Sequence, residues 1–408
     1  MRVKISPSRA AGRVTAPPSK SVAHRALICG AWSESSTISG LAWSEDISAT
    51  CDCLTALGAK VRRIADDTVA IGGLTLAGIP EGAVLPCRES GSTLRFLLPV
   101  AMLSGKTVHL TGSARLMERP LGIYKTISTQ NGGVFDAEEQ RITVRGGLSA
   151  GDFEVAGNIS SQFITGLMLA LPLAGGASRI GVTGPFESRS YTDITARVMR
   201  EFGVAVDCVG DTFEIPAGAA FASREYAVEG DCSNAAFLEA LALLSVDDGR
   251  RNLEVLGVPE DTAQGDRVYR GMLHSLADGT RREFDLSDCP DLAPCMFAMA
   301  AYYGGAHFTG TARLALKESD RAAVCAEELA KFGARMTVGA NDVTVECDAL
   351  HAPAEPISGH NDHRIVMATA LLCTVTGGVI DGAEAVAKSY PDFFTVIGKA
   401  GISVSSVM

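Results

Sequence analysis

Ser160-Ser161-Gln162-Phe163-Ile164-Thr165-Gly166-Leu167-Met168-Leu169-Ala170 opens on polar residues and then runs apolar for the length of a helix. A helix apolar almost all round belongs in a core, and its polar opening marks the N-terminus. The design recurs along the chain. The openings are Lys20-Ser21, Gly91-Ser92-Thr93, Ser160-Ser161-Gln162, Cys232-Ser233-Asn234, Pro290-Asp291 and Asn361-Asp362-His363. With Ser21, Ser92, Ser161, Ser233, Asp291 and Asp362 as markers, the spacings are 71, 69, 72, 58 and 71 residues. A period of this kind marks a supersecondary unit repeated along the chain. Each exposed helix N-terminus also offers unpaired N–H groups and the positive end of the helix dipole, so each opening is a ready anion site.

A second signal keeps step with the first. Leu57-Gly58-Ala59-Lys60-Val61, Phe202-Gly203-Val204, Phe332-Gly333-Ala334 and Ala400-Gly401-Ile402 each read as a helix tail, a glycine stop and the start of a strand. Short β-type runs lie between, such as Thr68-Val69-Ala70-Ile71, Arg141-Ile142-Thr143-Val144 and Asp342-Val343-Thr344-Val345-Glu346. Two helices and several strands per unit predict an α/β repeat that must bury its apolar helix against its neighbours. Three units precede residue 229 and three follow it. The expected division is therefore a lobe of residues 17–229 and a lobe of 230–408 joined by residues 1–16, whose first strand pairs with the second lobe.

Composition narrows the function. A chain of 408 residues is long for one core and suits two domains of roughly 200 residues each. With 47% hydrophobic and 20% charged residues it reads as a soluble globular protein. The net charge of -11 argues against nucleic acid or an acidic membrane as partner. The longest apolar stretch, Ile164 to Ala174, contains Pro172 and falls short of the roughly 20 residues a membrane span needs, and a cytoplasmic protein is expected. The 11 cysteines are scattered, with only Cys51 and Cys53 close together, and His360 and His363 lack a further ligand set, so no metal site is expected.

Several openings carry residues suited to anions. Ser21 and Arg25 lie one helical turn apart, where a hydroxyl, a guanidinium and helix N–H groups can converge, although a capping serine with solvated Lys20 and Arg25 fits the same letters. Arg95 follows Gly91-Ser92-Thr93 and reads equally as a ligand or as a buried strut; Arg115 and Arg119 around Glu118 read as surface ion pairs. In Lys317-Glu318-Ser319-Asp320-Arg321, a helix would align Lys317 with Arg321 and set Glu318 about 100° away, an acid beside two cations. Arg364 opens the last apolar helix, and Lys388 precedes Ser389-Tyr390-Pro391-Asp392.

Ten segments in order carry a resemblance that spans the chain: PSKSVAHRA at 18–26, SGSTLRF at 90–96, RLMERP at 115–120, GNISSQF at 157–163, SYTDIT at 190–195, EGDCSNAA at 229–236, PDLAP at 290–294, KESDR at 317–321, NDHR at 361–364 and AKSYPDFF at 387–394. The chain resembles the 5-enolpyruvylshikimate-3-phosphate synthases of the enolpyruvyl transferase family. That resemblance implies an α/β fold of two lobes, each of three βαβαββ repeats, closing over an interdomain cleft. It implies transfer of the enolpyruvyl group of phosphoenolpyruvate to the 5-hydroxyl of shikimate 3-phosphate through a tetrahedral ketal, with release of phosphate. This is a step toward chorismate and the aromatic amino acids, made without metal or organic cofactor, here by a monomer.

Carried over residue by residue, the resemblance assigns shikimate 3-phosphate to Lys20, Ser21, Arg25, Ser160, Ser161, Gln162, Ser188, Tyr191, Asp291 and Lys317. It assigns phosphoenolpyruvate to Lys20, Gly91, Arg119, Gln162, Arg321, Arg364 and Lys388. Asp291 is the expected proton acceptor at the 5-hydroxyl and Glu318 the expected donor to C3, with Lys20 and Lys388 as electrostatic partners and proton carriers. Arg95 is expected to be structural, and Gly91 implies sensitivity to glyphosate. The chain departs from many relatives at Arg313-Leu314-Ala315, where they carry Asn or His, and at Arg189-Ser190, where some carry Lys-Pro. The rival readings are a UDP-N-acetylglucosamine enolpyruvyl transferase, which typically carries Lys-Asn in place of Lys20-Ser21 and a loop cysteine near Arg115 to Arg119, and a noncatalytic anion-binding relative, which would have lost Asp291, Glu318 or Lys388.

Overall fold

The computed structural model describes Met1–Val407 and divides into two compact units, Met1–Pro17 with the chain from Gly230 onward, and Pro18–Glu229. Within Pro18–Glu229 there are three four-stranded sheets of one design. In one, Ala83–Arg88 pairs in parallel with Thr107–Gly112, which pairs antiparallel with Arg141–Arg145, and that with Val134–Ala137. The Gly91–Leu103 helix makes the parallel crossover, as two neighbouring parallel strands require. The second sheet repeats this with Asp152–Ala156, Ser178–Thr183, Thr212–Ile215 and Asp207–Val209. The third takes its first strand, Glu225–Ala227, from the end of the unit and adds it in parallel to Ser36–Ser39.

The apolar helices form the interior, as their composition demands. Gly91–Leu103 and Ser161–Ala170 pack against each other and are buried along nearly their whole length. Gly166 permits that approach: a Cβ there would lie 2.3 Å from the Arg95 carbonyl oxygen.

The other unit holds two sheets of the same pattern and one shorter one. Glu283–Asp285, Gly305–Thr309, Asp342–Glu346 and Arg335–Val338 form the first. In the second, the N-terminal strand Arg2–Ser6 lies between Gly378–Asp381 and Ser403–Val407, antiparallel to both. The third consists of Gly12–Thr15 and Leu253–Leu256 alone. There the Tyr269–Ala277 helix is followed almost at once by the next strand, Glu283–Asp285, leaving no room for a hairpin. That missing hairpin is the physical content of the 58-residue spacing.

Among the described residues no helix is long and apolar enough to cross a membrane.

Candidate active site

In the unit from Gly230 onward, Asp291 stands in a short turn, Pro290–Leu292, that leads into the Ala293–Tyr302 helix. Three cations converge on it. Arg321 Nη1 donates to Oδ1 at 2.8 Å, Arg364 Nη2 to Oδ2 at 3.0 Å, and Lys317 Nζ lies 3.2 Å from Oδ1. Arg321 also donates through Nη2 to Glu318 at 2.7 Å and through Nε to Asp362 at 3.0 Å, so this fully buried guanidinium serves three carboxylates. Burial alone would raise the carboxyl of Asp291, but Arg364, Lys317 and Arg321 outweigh it and hold it well below the usual carboxylate range. Burial lowers the Lys317 ammonium, although Asp291 opposes the shift.

The Lys317 to Arg321 segment is not one continuous helix. Lys317 closes the Ala312–Leu316 turn in an extended conformation, and Asp320 caps the Arg321–Ala330 helix by accepting from the Ala323 N–H at 3.2 Å. Asp320, an aspartate favoured at a cap, starts a new helix there and overrides the helical phase. Lys317 and Arg321 still meet, but because the chain bends round Asp291. Arg313, in the position where a ring contact was in question, donates instead to the Ser287 carbonyl at 2.5 Å.

The His363–Thr376 helix delivers Arg364, with Asp362 at its cap accepting from the Arg364 N–H at 2.9 Å. Arg364 Nε and Nη1 are buried without a protein partner. His360 and Asn361, just upstream, both have left-handed backbones, with φ of 45° and 53°. Each such residue costs roughly 1–3 kcal/mol, and persists only where its surroundings impose it. The Asn361 carbonyl accepts from Lys388 Nζ at 2.7 Å, which ties Lys388 to the turn that leads into the Arg364 helix. Ser233, at the fourth opening, donates to buried Asp266, whose carboxyl burial and the nearby Asp291 push up to about 7.

In Pro18–Glu229 the buried arginines Arg25 and Arg95 donate to neutral groups. Arg25, on the Lys20–Ala31 helix, donates to Thr195 Oγ1 at 2.7 Å, to the Ser21 carbonyl at 2.6 Å and to the Tyr191 carbonyl at 3.0 Å, and its guanidinium lies 5.0 Å from the Phe96 ring centroid. Most of its donors are thus spent inside the protein. Burial lowers its pKa to about 10. Lys20 is instead paired with a carboxylate, Asp46, at 2.8 Å. Ser160 caps the Ser161–Ala170 helix and Ser161 begins it, both at the polar opening. Ser188 adopts a left-handed backbone with φ of 56° before the Arg189–Glu201 helix, which carries Tyr191.

Gln162 is held from both sides. Its Oε1 accepts from Arg95 Nη1 at 2.7 Å and its Nε2 donates to Ser92 Oγ at 3.1 Å. Arg119 closes on the same place, with Nη1 2.6 Å from where a Cβ on Gly91 would stand. Glycine at 91 is what admits that guanidinium.

The sequence profile of the family described as EPSP synthase (3-phosphoshikimate 1-carboxyvinyltransferase) matches residues 5–397. The chain belongs to the EPSP synthase family. The 3-phosphoshikimate 1-carboxyvinyltransferase of Clostridium kluyveri is 36% identical over 420 residues, covering 96% of this chain and 95% of that one. Its counterpart in Clostridium novyi is 35% identical over 433 residues, covering 98% and 97%. Among solved structures, EPSP synthase from Acinetobacter baumannii matches with a TM-score of 0.80 at 23% identity, over 99% of this chain and 100% of that one. The enolpyruvyl transferase NikO from Streptomyces tendae matches with a TM-score of 0.75 at 15% identity, over 99% and 98%. These two likenesses establish the enolpyruvyl transferase fold.

Beside the residues assigned to substrates, the structure adds Asp362, Asp46, Ser92 and Thr195 as direct partners of Arg321, Lys20, Gln162 and Arg25, and only Asp46 lies outside the segments that carry the resemblance. Asp362 was visible as a helix opening. Thr195 closes the segment at 190–195, but its contact with Arg25, like that of Asp46 with Lys20, has no local signal because it forms only through the tertiary fold. Among the described residues one trio, Glu327, Glu328 and His360, places ligand atoms within 4.8 Å of one another in the way a metal needs. Lys331 already lies 2.9 Å from Glu328, so the protein itself supplies the positive charge there.

Proposed function

We propose that this EPSP synthase family member transfers the enolpyruvyl group of phosphoenolpyruvate to the 5-hydroxyl of shikimate 3-phosphate and releases phosphate. The observation that carries this reading is the cluster of Lys317, Arg321 and Arg364 around Asp291, with Glu318 on the same guanidinium. The chemistry requires a base at the acceptor hydroxyl, an acid at C3 of the enol ether, and cations for the phosphate and carboxylate of phosphoenolpyruvate. Asp291 is the base and Glu318 the acid in this reading, with Lys20 and Lys388 as electrostatic partners.

A carboxylate held far below its usual range is a poor base. The substrate supplies the remedy. Phosphoenolpyruvate on Arg321 and Arg364 draws those cations away from Asp291, and the proton affinity of Asp291 rises as the reactants come together. The base is therefore weak when the site holds no substrate and strengthens when it is needed.

Phosphoenolpyruvate is assigned to Lys20, Gly91, Arg119, Gln162, Arg321, Arg364 and Lys388. Shikimate 3-phosphate is assigned to Lys20, Ser21, Arg25, Ser160, Ser161, Gln162, Ser188, Tyr191, Asp291 and Lys317. Arg25 serves it by fixing Ser21 and Tyr191 through their carbonyls as well as by its charge. The reading includes two functional lobes, residues 1–16 with 230–408 and residues 17–229, in a cytoplasmic monomer that needs no cofactor. Proton NMR of the vinyl signals tests the reaction. Mixing the protein with phosphoenolpyruvate and shikimate 3-phosphate yields a new enol ether; an enol ether formed only with UDP-N-acetylglucosamine would overturn the choice of acceptor.

A further inference from the structure

Glu328 is fully buried and lies two turns after Arg321 on the same helix, so one helix face carries both. Arg321 holds Asp362, at one end of the 358–362 turn. Glu328 holds the other end: Oε2 accepts from the Ser358 N–H at 2.9 Å, and Oε1 lies 2.8 Å from His360 Nε2. The Ser358 hydroxyl in turn accepts from the His360 N–H at 3.2 Å. Between these anchors stand the two left-handed residues, His360 and Asn361. The Asn361 carbonyl, set by this backbone, accepts from Lys388.

A strained backbone persists where its surroundings over-determine it. Here the clamps are the Glu328 carboxylate and the His360 ring, and what they fix is the carbonyl that aims an ammonium. Gly359 is pressed against Val366 and the Asp381 and Gly382 carbonyls, so the turn cannot relax by sliding along the neighbouring strand.

We propose that Glu328 and His360 are positioning residues that clamp the 358–362 turn and so aim Lys388. The functional half of this inference rests on the reading of the reaction above; the structural half does not. Lys388 is the readout. In His360→Asn the left-handed backbone stays accessible to the new side chain while the clamp is lost. Competitive labelling of lysines with acetic anhydride, read by mass spectrometry on the whole chain, is expected to show Lys388 modified at least severalfold faster in His360→Asn and in Glu328→Gln. The rates at Lys4 and Lys399 stay unchanged. Unchanged labelling of Lys388 in folded His360→Asn would overturn the proposal, and it does so whether or not the protein turns over the proposed substrates.

In turnover, kcat falls about tenfold in each variant while KM for phosphoenolpyruvate stays within about twofold, and neither change adds to the loss caused by Lys388→Arg, since residues acting through one another are not additive. Full additivity with Lys388→Arg would point to a merely structural role and also overturn the proposal.

Discussion

The buried arginines nearest the two sets of proposed contacts are matched in opposite ways, with the Lys20–Asp46 pair and Arg313 on the Ser287 carbonyl as exceptions. From Gly230 onward, Arg321, Arg364 and Lys317 are matched with carboxylates, Asp291 above all. In Pro18–Glu229, Arg25 and Arg95 are matched with carbonyls, hydroxyls and an amide. Neutral partners orient a guanidinium without cancelling its charge, which suits a permanent anion such as a phosphate. Carboxylate partners cancel the charge until an anionic substrate competes for it, which suits a place where protons must move. In the proposed reading, the proton acceptor Asp291 thus stands among carboxylate-matched cations, and the serines proposed for shikimate 3-phosphate stand near neutrally matched ones.

The largest expected effect lies in the carboxylate-matched unit. Asp291→Asn is expected to lower kcat by about 10²–10⁴, the range of a lost general base. Calorimetry should find shikimate 3-phosphate bound to it within a few-fold of the wild-type affinity; loss of that binding would erase the contrast. Next comes Gly91→Ala, whose added methyl must displace Arg119. KM for phosphoenolpyruvate should rise about tenfold, as for one weakened charge-assisted contact, and inhibition by glyphosate should weaken with it. Unaltered steady-state constants would remove Arg119 from the phosphoenolpyruvate contacts.

Ser161→Ala removes one hydroxyl among neutral partners. An increase of about tenfold in the dissociation constant for shikimate 3-phosphate is expected from a hydrogen bond to a charged group. The smallest effect on turnover belongs to Asp266→Asn, but it sharpens the comparison through stability. The folded pKa of Asp266, about 7, lies above its unfolded value of 3.8. Its contribution to stability is therefore fully present below about pH 4 and lost as pH rises toward 7. Denaturant melts across that window should show the wild type losing stability relative to Asp266→Asn; parallel curves would refute the assignment.

Much of this was legible in the letters, and the exceptions are instructive. Repeats, apolar core helices and glycine stops follow from local chemistry, so period and fold class could be read directly. The cut-short sheet was legible only as an irregular spacing, because a missing hairpin leaves no residues to read. The positions of Asp291, Arg321 and Arg364 came from motifs, but their mutual contact did not, since 30 and 43 residues separate them in the sequence. The helical geometry considered for Lys317 to Arg321 does not occur, because Asp320 caps a new helix there. The partners Asp46 and Thr195, and the clamp of Glu328 on His360, are tertiary facts with no local signature.

The most direct test sets the two units against each other in one assay of phosphate release. Ser161→Ala and Asp291→Asn are each titrated with shikimate 3-phosphate at saturating phosphoenolpyruvate. The account predicts that saturation returns Ser161→Ala to near wild-type turnover and leaves Asp291→Asn almost inactive. Recovery of Asp291→Asn at high shikimate 3-phosphate, or failure of Ser161→Ala to recover, would contradict the roles proposed for Asp291 in proton transfer and for Ser161 in recognition.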